Sequence, residues 1–268
     1  MTSDARPDPA AGAVCNGPAL WRAAFPWPDA EGHKYDRGHA AMLSGPAGRG
    51  GAIRLAARAA LRVGAGLVTV LAPADAVAEH AARLDAVMVR EAADDGALAR
   101  MAARDGRFDA VCLGPAFGRD RAASVLPALL TSDRALVLDA DALHALPPPA
   151  TLRGAAGPVV LTPHAGEFAA AFPDIDPADR VDAAMRAAER TGCILILKGS
   201  RTVVAAPDGR RAVNDPATPF LATAGSGDVL AGIATGLLAQ GMPAFEAAAA
   251  AIWLHAECAA AVGPGLIA

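Results

Sequence analysis

The sequence predicts an α/β fold with a mostly parallel central sheet buried between helices. Short β-like apolar runs alternate along the chain with alanine-rich stretches of helical period, a pattern that implies right-handed crossovers and a sheet covered on both faces. The residues just after successive runs are glycine-rich or polar, as at the ligand-binding edge of an open α/β sheet. With 268 residues, 53% hydrophobic and 19% charged, the chain can bury a substantial core as one large domain. Residues 1–30 are read as an N-terminal tail or linker and 31–268 as that domain.

The elements follow in order. Ala40–Ser44 is the first strand, and it runs into Ser44-Gly45-Pro46-Ala47-Gly48-Arg49-Gly50-Gly51-Ala52, a flexible glycine loop that enters the helical stretch Ala52–Arg62. Leu67–Leu71 and Val87–Arg90 are the next two strands, followed by a helix at Ala97–Arg104. The fourth strand, Asp109–Leu113, leads to Gly114-Pro115-Ala116-Phe117-Gly118 and then to a helix at Arg121–Leu130. Ala135–Asp139 ends in Asp139-Ala140-Asp141, where Asp141 reads equally as a site carboxylate or as the cap of a helix beginning there. Pro158–Leu161 precedes Thr162-Pro163-His164-Ala165-Gly166-Glu167. A helix at Asp179–Thr191 precedes the seventh strand, Cys193–Lys198, which passes into Lys198-Gly199-Ser200-Arg201-Thr202. Thr202–Ala206 and Arg211–Asn214 flank Pro207-Asp208-Gly209-Arg210, an edge hairpin. Apolar helices at Gly227–Gln240 and Ala244–Val262 close the chain.

Composition excludes several classes of function. The formal charge is −4 without clustered Lys or Arg, so nucleic acid and anionic membrane are not expected partners. Cys15, Cys112, Cys193 and Cys258 lie far apart with no C-x-x-C or His/Cys spacing, which argues against zinc or a disulfide framework. Residues 1–13 contain no apolar signal core, and no apolar run of membrane-spanning length is free of charge. A cytoplasmic protein is the expectation.

The stretch Ala222-Thr-Ala-Gly225-Ser226-Gly227-Asp228-Val-Leu-Ala-Gly232 is the most informative one. It sets a small-residue turn and one carboxylate at the mouth of an apolar helix, where free N–H groups and the helix dipole favour a phosphate. An anion cradle beside a base is what phosphoryl transfer to a hydroxyl requires.

Taken together, Lys34–His39 (KYDRGH), Gly64–Val70 (GAGLVTV), Leu138–Leu143 (LDADAL), Leu161–Phe168 (LTPHAGEF), Leu197–Thr202 (LKGSRT) and the Asp228 motif resemble the ADP/ATP-dependent NAD(P)H-hydrate dehydratases of the ribokinase-like superfamily. The likeness runs from about His33 to Ala261. It implies a ribokinase-like three-layer sandwich and repair of the S-epimer of NADHX or NADPHX to NADH or NADPH at the expense of ADP or ATP, with Mg²⁺. The chemistry is self-consistent: hydroxide leaves poorly, but once phosphorylated the group can be expelled by the ring nitrogen lone pair, and loss of a neighbouring proton restores the double bond.

On the matching positions, the resemblance makes Asp228 the base and gives Gly225 and Gly227 the phosphoryl-stabilising N–H groups. Lys198, Gly199, Ser200, Arg201, Thr202 and Gly227 would bind the adenine nucleotide. Ala52, Ala116, His164 and Asp228 would meet the hydrate, with Glu167 and Asp139 as outer Mg²⁺ ligands through water. His164 alone also reads as a loop hydrogen-bonding residue, and Lys34, Tyr35, Arg37 and His39 read either as a ligand cover or as a brace for the first strand. Two departures stand out: Ala116 where many members have glycine, and Ala224 where many have the first glycine of a pair. The family suggests a homotetramer or larger, and partnership with an NAD(P)HX epimerase encoded elsewhere. A small-molecule kinase acting on an alcohol, or a non-catalytic nucleotide-binding module, remain alternatives on the same residues.

Overall fold

The computed structural model describes residues 7–8, 12–214 and 218–264. The elements are β1 (Pro7–Asp8), β2 (Ala13–Cys15), α1 (Pro18–Trp21), β3 (His39–Leu43), α2 (Gly51–Arg62), β4 (Leu67–Pro73), α3 (Ala74–Ala81), β5 (Met88–Ala92), α4 (Asp95–Arg104), β6 (Ala110–Leu113) and α5 (Arg119–Leu130). They continue with β7 (Ala135–Leu138), α6 (Pro149–Arg153), β8 (Val159–Leu161), α7 (Ala165–Ala171), α8 (Arg180–Thr191), β9 (Ile194–Leu197), β10 (Thr202–Ala205), β11 (Arg211–Asn214), α9 (Ser226–Ala239) and α10 (Ala244–Val262).

One sheet runs β1-β2-β11-β10-β9-β8-β7-β6-β3-β4-β5. From β9 to β5 all neighbours are parallel, and these seven strands are the seven read from the sequence. Consecutive residues on each strand point to opposite faces, so Ala40 and Met42 join one core while Ala41 and Leu43 join the other. One face carries small residues, Ala40, Ala110 and Cys112 among them, under the alanine-rich α2, α9 and α10. The opposite face is built on leucines with Phe108, Phe117 and Phe168 beneath α4, α5 and α8. This is the three-layer sandwich with a mostly parallel sheet that the resemblance implies.

Helices α2 and α9 approach very closely because a Cβ on Gly232 would collide with the backbone of Ala56, and one on Gly236 with that of Ala60. The two contacts advance together along both helices, so the helices are parallel and in register. One turn nearer their N-termini the same stripes carry Asp228 and Ala52 onto facing positions.

The hairpin of β10 and β11 is antiparallel as expected, but it is not the sheet's edge: β2 pairs in parallel with β11, Ala212 opposite Val14. Residues 13–25, read from the sequence as tail, are packed into the domain, with Trp21 buried and its ring 5.5 Å from that of Trp253. The polar, proline-rich start of the chain hides this because a three-residue strand carries no periodic signal. Three further short helices, α3, α6 and α7, were likewise not read from the sequence. By length and composition α10 could cross a membrane; here its Ala247–Ala251 stretch is fully buried, the character of a core helix.

Candidate active site

The strand order reverses between β3 and β6, and the carboxyl ends of these strands mark the crevice where an open α/β sheet binds ligands. The loops that follow them touch there, Gly45 packing directly on the Ala116 carbonyl. The glycine loop after β3 is held by α3: Gly48 N donates to Glu79 (2.7 Å), Ala47 N to Asp75 (3.3 Å), and Glu79 also pairs with Arg54 at 2.5 Å. Arg121, paired with Asp95 at 2.6 Å, donates to the carbonyls of Ser44 and Phe117 and so ties the two loops together. None of these braces was evident from the sequence, because each joins residues distant in the chain.

Ala116 has φ 50°, in the left-handed region where a β-carbon is strained. The alanine that departs from the family pattern thus occupies a glycine conformation. Ala116→Gly is expected to be neutral or stabilising by up to about 1 kcal/mol in thermal unfolding, instead of the loss an Ala-to-Gly change brings elsewhere.

A charged cluster lies at the ends of β7, β8 and β9. Lys198 Nζ is 2.8 Å from Asp139 Oδ1 and 3.8 Å from Glu167 Oε2, and Thr162 Oγ1 donates to the same Asp139 oxygen at 2.6 Å. Asp139 is almost completely buried, and the ammonium and the hydroxyl offset that burial. His164 is the N-cap of α7: Nδ1 accepts from Gly166 N and Glu167 N at 3.0 and 3.1 Å, and Glu167 returns the bond by accepting from His164 N at 2.8 Å. His164 thus hydrogen-bonds within its own turn, and on a ring that is otherwise largely exposed its Nε2 lies 3.4 Å from Glu167 Oε1. Asp141 does not cap the turn that follows β7; it accepts from Gly118 N at 2.8 Å and fixes the loop after β6.

Asp228 stands in the first turn of α9, after Gly225, whose φ of 91° makes the tight entry that glycine adopts without strain. Ser226 Oγ donates back to Leu221 O at 2.8 Å and closes the turn. Burial, and secondarily the Asp139 charge, raise the Asp228 carboxyl to about 6 against the opposing pull of Lys198. Cys112, fully buried on the sheet below, is pushed up by its burial and by the same two acids, Asp139 and Asp228.

Lys198, Gly199, Ser200, Thr202, Ser226 and Gly227 share one cleft of about 450 Å³, which Pro219, Leu221, Ala222, Leu230 and His255 also line. Arg201 contributes its carbonyl to Arg180, which also holds the carbonyls of Leu197 and Lys198, each at 2.9 Å. Arg180 and His255 escaped the sequence reading: both belong to helices whose only visible signal was apolar periodicity. Residues 34–37 form a turn at the opposite end of the sheet, and His39 bonds Thr69 at 2.7 Å, so this segment braces the first long strand. Ala224 lies in the turn before Gly225, within a segment whose residues 215–217 fall outside the described chain.

Fold and cleft together define a ribokinase-like protein with a carboxylate at a helix mouth beside a lysine-bearing strand end. A profile of the NAD(P)H-hydrate dehydratases matches residues 40–263, and the chain belongs to this family. The ADP-dependent (S)-NAD(P)H-hydrate dehydratase of Neisseria meningitidis serogroup B is 37% identical over 253 residues, 89% of this chain and 83% of that protein. The ADP/ATP-dependent NAD(P)H-hydrate dehydratase of Bacillus subtilis, co-crystallised with ATP/Mg²⁺, has a TM-score of 0.78 at 28% identity, covering 90% of this chain and 87% of its own. A ribokinase-like superfamily protein of Enterococcus faecalis also has a TM-score of 0.78, at 24% identity over 94% of this chain and 89% of its own, a likeness of fold alone. Bifunctional NAD(P)H-hydrate repair enzymes match as well, and the chain spans about half their length, 46% of the one from Gloeobacter violaceus.

Proposed function

We propose that the protein dehydrates the S-epimer of NADHX or NADPHX to NADH or NADPH, consuming ADP or ATP and releasing AMP or ADP and phosphate. The observation that carries this reading is the Asp228 carboxylate, raised to about 6 and set in the first turn of α9, next to the Gly227 that lines the cleft with Lys198. Asp228 takes the proton of the hydrate hydroxyl as that oxygen attacks the terminal phosphoryl group, and the N–H groups of Gly225 and Gly227 stabilise the charge that develops. Lys198 to Thr202, with Gly227, bind the nucleotide. Ala52, Ala116 and His164 border the hydrate, a role supported for Ala52 by its register opposite Asp228. The phosphorylated carbon then loses phosphate as the ring nitrogen lone pair moves in, and a neighbouring proton departs.

The site's own charge favours a cation. Asp139, Glu167 and Asp228 face a single ammonium, so a polyphosphate arriving there meets more negative than positive charge. No group of three His, Cys, Asp or Glu is placed to bind a metal directly among the described residues. Asp139 and Glu167 suit Mg²⁺ held through its waters, and that ion, when bound, offsets polyphosphate charge. The reading further places the activity in one domain, residues 31–268 with 13–25 packed on it, in a cytoplasmic homotetramer or larger assembly. An NAD(P)HX epimerase would supply the correct epimer.

The test is incubation of the purified protein with hydrated NADH, Mg²⁺ and either ADP or ATP. Recovery of reduced-nicotinamide absorbance with equimolar inorganic phosphate is expected. Accumulation of a stable phosphate ester would instead indicate a small-molecule kinase.

A further inference from the structure

Helix α10 is alanine-rich and buried over most of its length, yet it carries one imidazole into the cleft. His255 is only 8% exposed, and its neighbours one turn away, Ala251, Ile252 and Ala259, are buried as well. Among the described residues its ring has no hydrogen-bond partner, and neither ring nitrogen is one of the fully enclosed unpartnered atoms, so each keeps access to solvent where the residue lines the cleft. It lines the same cleft as Lys198 and Gly227, together with Pro219, Leu221 and Leu230. A largely buried imidazole whose nitrogens are reached from a ligand-facing wall is placed to bond the ligand there.

Resting on the nucleotide reading above, we propose that His255 recognises the nucleoside part of the adenine nucleotide, hydrogen-bonding the base or ribose between the apolar walls, and so sets base specificity. The phosphates belong beside Lys198 and the α9 N-terminus. Burial, reinforced by Lys198, lowers His255 to about 4, so the ring is uncharged at neutral pH and suits a neutral, planar partner rather than a phosphate.

Titration calorimetry of AMP, ADP and GDP against wild type, His255→Leu and His255→Gln tests the assignment. Loss of one buried hydrogen bond predicts that His255→Leu weakens AMP and ADP alike, each by about tenfold, and narrows the preference for ADP over GDP. His255→Gln, which keeps a donor and an acceptor, is expected to retain most of the affinity. The melting temperature of the nucleotide-free His255→Leu protein should be unchanged or higher, because no hydrogen bond within the protein is lost; a purely structural histidine would lower it. AMP and ADP affinities within twofold of wild type in His255→Leu, with the ADP/GDP ratio kept, overturn the assignment while leaving the nucleotide site intact. Failure of wild type to bind any of these nucleotides overturns the nucleotide reading itself, and this assignment with it.

Discussion

Asp228→Asn is expected to lower kcat by about a thousandfold, the scale of a lost general base, while ADP binding stays the same or tightens. Asparagine keeps the shape of the helix mouth but cannot take a proton, and it removes a negative charge from the polyphosphate's surroundings. The pH profile gives an independent reading. With its carboxyl raised to about 6, Asp228 is protonated and inactive below that value, so kcat/KM of wild type should rise with pH and level off above about 6. Stability runs the other way. A folded-state value above the unfolded one, 3.8, means that the group's stabilising contribution is complete below about pH 4 and lost as pH climbs through 6. Asp228→Asn escapes that loss, so its melting temperature should pull ahead of wild type between pH 4 and pH 6 and hold a constant lead above. A variant with normal turnover, or with the same Tm difference at every pH, would rule out a buried carboxylate base.

Lys198→Met is expected to abolish nucleotide binding and to destabilise the free protein. Its ammonium is the cation beside Asp139, 2.8 Å away, and the second interaction with Glu167 at 3.8 Å is lost as well. Leaving Asp139 buried without its partner costs about 3 kcal/mol, which for a domain of this size lowers Tm by roughly 6–12 °C. Adding Asp139→Asn should restore most of the stability, since the more deeply buried of the two charges left without Lys198 is then gone, but not nucleotide binding. That split separates the structural part of Lys198 from its part in the cleft. If the double variant melts as low as the single one, the ion pair is not what holds this end of the sheet.

Much of this architecture was legible in the sequence because parallel strands buried on both faces are continuous apolar runs, and helices on a sheet keep their period. The helix at residues 244–262 and the seven parallel strands follow from that alone. The site residues were legible for a related reason: ligands meet this class of sheet at its carboxyl edge, so Asp139, His164, Lys198 and Asp228 each come just after a strand or at a helix start. What escaped were elements with no period of their own. β2 gains its meaning only from pairing with β11, α3 and α7 are too short to show amphipathicity, and Arg180 reaches carbonyls of a loop that begins 17 residues further on.

The sequence by itself determined the layers, the loops that carry chemistry and the family likeness, because these depend on local pattern and spacing. Tertiary structure alone decided three other matters. Gly232 and Gly236 let α9 press against α2 until Asp228 faces Ala52. Lys198 is bound to Asp139, so the cleft's cation is already shared with a protein carboxylate. Among the described residues His255 has no hydrogen-bond partner, and it stands largely buried on the cleft wall. Each is a contact between residues far apart in the chain, and no reading of one segment contains the distance to another.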